Sequence, residues 1–187
     1  MSISNANTFT WPTEFSCVLV LDDVLLPIDY RFTMTMEPDI ESAGMGLRKV
    51  KEFFHRYINN SIVVSKEHEF LPLLIKLKTN TVELPQDPND LLLACILFKK
   101  LTSIAENYFV IKDITIDSNI GDHVKYTVSN FTKIYDKVLE TTSWWNQDDL
   151  STNNHETFPS WEDLSIVVSN KFSPKILKGG RDESKQI

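Results

Sequence analysis

One stretch constrains this chain more than any other: DPNDLLLACILFKKLTSIAENY, from Asp87 to Tyr108. Leu91, Ala94, Cys95, Phe98, Leu101, Ala105 and Tyr108 recur at helical spacing, and Leu92, Leu93, Ile96 and Leu97 add apolar surface on the flanks. A helix that is apolar on nearly every side in its first half has to be covered by the rest of a domain. Asp87 fits the N-cap and Pro88 the first helical position, where no backbone N–H is needed; Asp90 puts negative charge in the first turn. The polar residues Lys99, Lys100, Ser103, Glu106 and Asn107 fall in the second half, which the pattern sends to solvent. Phe98 is therefore expected in the core. Lys100 is expected on the surface, where Lys100→Ala would change stability by under roughly 0.5 kcal/mol.

The flanking segments supply the cover. Phe15–Leu26 reads as strand, with turns at Asp22-Asp23 and near Pro27–Asp29, and Tyr30–Met36 alternates cleanly. A second helix spans residues 47–59, with Leu47, Val50, Phe53, Phe54, Tyr57 and Ile58 on its apolar face. Ser61–Ser65 reads as a short strand; residues 70–78 read as another, with Pro72 favouring an edge or a strand start. A hairpin follows over residues 110–128. Val110, Lys112, Ile114 and Ile116 share one face, Val124, Tyr126 and Val128 continue it, and residues 118–122 form the loop. Residues 131–142 have helical spacing, residues 144–159 form a long polar loop, and Trp161 is a packing anchor in a capped turn leading into residues 164–168.

The expected fold class is α+β. A single domain over residues 14–170 has a mostly antiparallel sheet with two principal helices, about 47–59 and 87–108, packed on it. Residues 1–13 form a loose N-terminal segment and 171–187 a flexible basic tail; no repeat, low-complexity tract or domain boundary stands out. A chain of 187 residues, 42% hydrophobic and 24% charged, can bury such a core.

Charge and cysteine content narrow the function. The net charge is −7. The tail from Lys171 carries +3 (five basic and two acidic side chains), leaving −10 on the first 170 residues. An acidic body repels phosphate, which disfavours nucleic acid as a partner. Cys17 and Cys95 lie in separate apolar runs and read as buried thiols of a reducing compartment, hence a cytoplasmic protein. Neither a signal peptide nor an apolar run long enough to span a bilayer is present, so no membrane is expected.

Candidate chemistry is sparse. On the hairpin's outer face the five-residue loop places Asp117 opposite His123, Thr115 opposite Lys125 and Asp113 opposite Thr127. Asp117, Asp122 and His123 could then hold a divalent metal, or Asp117 could orient His123 as a base. Ordinary cross-strand charge pairing accounts for the same residues. The histidines at 55, 68, 123 and 155 are scattered, without the spacing of a zinc site, and no phosphate loop or nucleophile motif occurs. Arg48, Lys49, Lys51, His55 and Arg56 make a basic helix face, diluted by Glu52. Trp144 and Trp145, followed by Asp148 and Asp149, are the most suggestive feature, because tryptophan is enriched where proteins bind partners. Trp145 is expected to turn inward and Trp144 to stay more exposed.

These residues imply a non-enzymatic interaction factor, an adaptor, inhibitor or assembly accessory protein. It would bind a protein partner through Trp144, Trp145, Asp148 and Asp149 and need no cofactor. The other class open to the sequence is a metal-dependent hydrolase or nuclease-like enzyme using Asp113, Asp117, Asp122 and His123.

Overall fold

The computed structural model describes residues 8–38, 43–121, 124–130, 132–140 and 143–155. The metal candidates Asp122 and His123, the anchor Trp161 and the basic tail lie outside them. The protein is α+β. Six strands, β1 (Phe9–Leu21), β2 (Val24–Pro38), β3 (Ser61–Ser65), β4 (Thr81–Leu84), β5 (Phe109–Ser118) and β6 (Lys125–Ser129), form one sheet in the order β4-β3-β1-β2-β5-β6. β1–β2, β2–β5 and β5–β6 pair antiparallel, whereas β1–β3 and β3–β4 pair parallel.

Of the two candidate turns after β1, Asp22-Asp23 is the one used, with Asp22 at φ 48°, a left-handed conformation that aspartate tolerates. β1 begins at Phe9, so five of the residues expected to be loose belong to the sheet. Pro12 fits there because of where its missing N–H points. Ser16 bonds Asn59 and Asn60 with its N–H and C=O, on the side away from β2. Two-residue alternation puts Pro12 on that same side, so the β1–β2 ladder loses nothing.

The organising helix, α3, runs from Asp90 to Ala105 across the inner face of the sheet. Its N-cap is Asn89, whose Oδ1 accepts the Leu92 N–H at 2.9 Å, rather than Asp87. Asp90 is held instead by the sheet, accepting the Tyr30 and Ser118 hydroxyls at 2.7 Å each. Leu92 through Phe98 are all buried, Phe98 included, as the composition of that half demands.

Helix α1 (Ala43–Phe53) covers the same face and ends in a π-helical turn, Phe54–Ile58, closed by Asn59 N–H on the Phe54 carbonyl at 2.8 Å. The wide turn buries the consecutive rings Phe53 and Phe54, and Phe54 packs against Trp11, Phe15 and Phe32. Gly46 lets α1 approach the end of α3. A Cβ there would stand 2.4 Å from Tyr108 Cβ and 2.7 Å from Phe109 Cε1. Gly46→Ala should accordingly cost about 1–3 kcal/mol in a denaturant titration, the usual range for overpacking. A loss within error would mean that Tyr108 moves aside freely.

Three sequence expectations change. Residues 70–78 are not a strand: Leu71–Lys76 forms α2, with Pro72 in the first turn, where its lack of an N–H is harmless. Leu71, Leu74 and Ile75 pack with Val20 and Val64 as a small second cluster on the other face of the sheet. Of residues 131–142, only Asp136–Leu139 is an α-helix among those described. In the hairpin, β5 carries a bulge: Thr35 pairs with Asp113 but Met36 with Ile111, leaving Lys112 extra. The bulge shifts the phase, so Phe109, Ile111, Ile114 and Ile116 are buried while Val110 is exposed. Lys112 turns out to Glu37 at 2.6 Å.

Candidate functional site

Of the residues singled out for partner binding, Trp144 and Trp145 occupy the interior. Trp144 and Trp145 start a 3-10 turn, Trp144–Asn146, and are 0% and 3% exposed. The Trp144 indole Nε1–H donates to the Glu83 carbonyl at 2.9 Å, and the two rings meet edge to face. An exposed Trp144 is thus overturned, and neither ring is open to a partner. Both serve residues 143–155, a polar strap along the outer edge of β4. Glu83 N–H bonds the Thr152 carbonyl at 2.8 Å, Thr152 Oγ1 donates to the Thr81 carbonyl at 2.8 Å, and His155 pairs with the Glu83 carboxylate at 3.1 Å. The strap closes an edge that would otherwise expose unpaired backbone groups.

Lys100 fastens the strap to α3. Expected on the surface, it is fully buried, and its ammonium donates to the Trp144 and Gln147 carbonyls, Asp149 Oδ1 and Ser151 Oγ at 2.9–3.1 Å. Burial pushes its pKa down to about 8, against the opposing attraction of Asp149. Asp149 is therefore committed to Lys100, while Asp148 is exposed.

The hairpin site also changes. Thr115 lies opposite Thr127 and Asp117 opposite Lys125, two residues from the expected register, with β5 ending at Ser118 and β6 starting at Lys125. Asp117 faces Arg31 on its other side, so its neighbours in the sheet are cations rather than metal ligands. Among the described residues no three His, Cys, Asp or Glu side chains are grouped to hold a metal. On the basic helix face, Arg56 pairs with Glu52 and the Lys49 ammonium lies 4.7 Å from the centroid of the Tyr108 ring.

Topology gathers a different site. The parallel strands β1, β3 and β4 end together at Leu21, Ser65 and Leu84. Ligands of open sheets with parallel strands bind outside these carboxyl ends. Here the loops enclose a cleft of about 470 Å³ lined by Asp22, Asp23, Glu67, His68, Glu69 and Asp87. All five carboxylates are exposed. His68 ties the loops together: its Nδ1 accepts the Phe70 N–H at 3.1 Å, which places the proton on Nε2, bonded to the Asp22 carbonyl at 2.8 Å. With both nitrogens engaged the ring is a structural tie and has no free position for acid–base work. Val24 and Leu25 beside the turn, Leu73 on α2 and Leu77 just past its end are exposed apolar side chains.

Sequence reasoning missed this cleft because its acids come from three separate loops. The signal present was that each loop directly follows a strand. No protein-family model matches the chain, and no curated protein matches it in sequence.

Proposed function

We propose that the protein is a non-enzymatic interaction factor that docks a basic surface of a protein partner on the acidic cleft at the carboxyl ends of β1, β3 and β4. The observation that carries this reading is the convergence of five exposed carboxylates around a histidine whose two nitrogens are already bonded. Such a cleft attracts lysine- and arginine-rich surfaces and repels nucleic acid. The exposed Val24, Leu25, Leu73 and Leu77 supply apolar area of the kind that anchors a protein interface. No helix among the described residues is long and apolar enough to cross a membrane. Cys17 and Cys95 are free and buried, and burial pushes their thiols up to about 12 and about 11. Thiols held protonated in this way suit a cytoplasmic adaptor, inhibitor or assembly accessory protein.

The test compares the wild type with the triple variant Asp22→Lys, Glu67→Lys and Asp87→Lys in quantitative affinity capture from the native host. Proteins retained by the wild type should fall about tenfold or more in the variant and weaken as salt is raised, with the melting temperature kept. An unchanged captured set would remove the cleft from the function.

A further inference from the structure

With the β4 edge closed by the strap, β6 is the other edge of the sheet, and no described strand lies beyond it. Hydrogen bonds on either side of it fix which of its backbone groups face outward. The Asn119 N–H, opposite Asp29 of β2, donates to the Asp29 carbonyl at 3.0 Å. Two-residue alternation from that pair turns the backbone of Asp117 and Thr115 to β2, and that of Ile116 and Ile114 to β6. Tyr126 and Val128, opposite Ile116 and Ile114, complete those bonds, so the backbone groups of Lys125, Thr127 and Ser129 point away from the sheet. The Thr115 and Thr127 hydroxyls meet at 2.9 Å, as the closer side chains of a non-hydrogen-bonded pair do. Ser129 is already engaged: its N–H donates to Thr132 Oγ1 at 3.1 Å and its carbonyl accepts the Thr132 N–H at 2.9 Å. Lys125 and Thr127 thus present their N–H and C=O groups symmetrically about Tyr126, with no partner among the described residues.

That spacing is self-complementary. An antiparallel copy of the strand, related by a two-fold axis through Tyr126, sets Lys125 opposite Thr127 of the second copy and Thr127 opposite its Lys125. Each pair exchanges both of its bonds, so every outward group of the two residues is satisfied in both copies. Neighbouring registers are worse. Centring on Lys125 sets two ammonium groups directly opposite, which is destabilising. Centring on Thr127 needs the Ser129 groups that Thr132 already holds. The side chains agree with the Tyr126 register: the exposed Val124 comes opposite Val128, and the half-buried Tyr126 rings meet across the axis as an aromatic cross-strand pair. β6 also lacks common blocks to edge pairing, since it contains no proline and its register with β5 is unbroken.

We propose that the protein forms a two-fold dimer by antiparallel pairing of β6 with β6 of a second copy, centred on Tyr126. The two six-stranded sheets join edge to edge, and α3 of each copy lies on the same face of the joined sheet. β2 and β5 separate β6 from the strands that carry the acidic cleft, which stays open in both copies.

Sedimentation equilibrium of the full chain tests the pairing. The wild type should be a concentration-dependent dimer. Thr127→Pro removes an outward N–H without touching the bonds to β5, the setting in which an edge strand accepts proline. It should weaken association at least about tenfold while the melting temperature of the monomer stays near wild type. Two further variants at this exposed position do not depend on tolerance of proline and read the register. Facing Lys125 of the second copy, Thr127→Lys should weaken the dimer and Thr127→Glu should hold or tighten it. A wild type that stays monomeric at NMR concentrations overturns the proposal. So does a dimer indifferent to Thr127→Pro, or one in which lysine and glutamate act alike or in reverse. Slow exchange of the Lys125 and Thr127 amides in the dilute monomer would put another part of the chain on this edge, and overturns it as well.

Discussion

Lys100→Met should destabilise the fold by about 3–5 kcal/mol, although the methionine keeps most of the apolar stem. The loss comes from the oxygens left behind. Four acceptors converge on the Lys100 ammonium, and its bonds to the Trp144 carbonyl and Ser151 Oγ are buried. Each unsatisfied buried oxygen costs about 1–3 kcal/mol, and breaking a buried ion pair by removing one partner costs about 3–5 kcal/mol. The upper figure is tempered by Asp149, whose side chain is 37% exposed and can recover water. Chemical denaturation of the variant beside Lys76→Met, an exposed lysine of α2, gives the comparison; equal midpoints would show that the strap holds without its lysine. The pH dependence has a defined sign. Lys100 falls to about 8 from an ordinary 10.5, so between those values the unfolded chain holds the extra proton. The wild type should gain stability relative to Lys100→Met as pH rises through that window. Asp149 moves the other way. Its partial burial acts to raise the pKa, but bonds from Ser151 and Lys100 outweigh that and hold it below 3.8. Its stabilisation is present above about pH 4 and is lost as the pH falls through the folded value.

The second large effect is expected at Trp144. Trp144→Ala removes a fully buried indole and leaves the Glu83 carbonyl without its 2.9 Å donor, so a loss of about 4–5 kcal/mol is expected, at the high end for aromatic truncation. Phenylalanine separates the two contributions. Trp144→Phe still forfeits the bond to Glu83, whereas the buried Trp145 Nε1 has no hydrogen-bond partner among the described residues. Trp145→Phe should therefore cost less than Trp144→Phe by about 1 kcal/mol or more. The reverse order in thermal or denaturant unfolding would place the strap's anchor at Trp145. Both indoles should also resist acrylamide quenching in the folded protein, since both are buried.

The buried half of α3 and the α+β class were legible in the sequence, as was the Asp22-Asp23 turn as one of two the pattern allowed. Each rests on local chemistry: continuous apolar periodicity from Leu91 to Leu101, a left-handed turn residue, and alternation along Tyr30–Met36. Local pattern failed where one residue changed the phase or where polar groups were buried in pairs. Lys112 is a single extra residue in β5, and it moves Val110 from the expected inner face to solvent. Lys100 lies in the half of α3 that periodicity assigned to solvent. It is buried because a segment more than 40 residues later brings oxygens to it, and neither partner's sequence announces the other. Ser151, Thr152 and Asn153 read as loop for the same reason, yet they are buried, and Thr152 and Asn153 hydrogen-bond the edge of β4. The acidic cleft has the same origin. Each of its loops is legible alone, but parallel pairing of β1, β3 and β4 brings Asp22, Glu67 and Asp87 to one end of the sheet. Hydrophobic periodicity is a property of neighbours along the chain, and it determined the core helix. Hydrogen-bond partners and charge density depend on distances between segments far apart in sequence, so only the tertiary structure decided the strap, the buried lysine and the site.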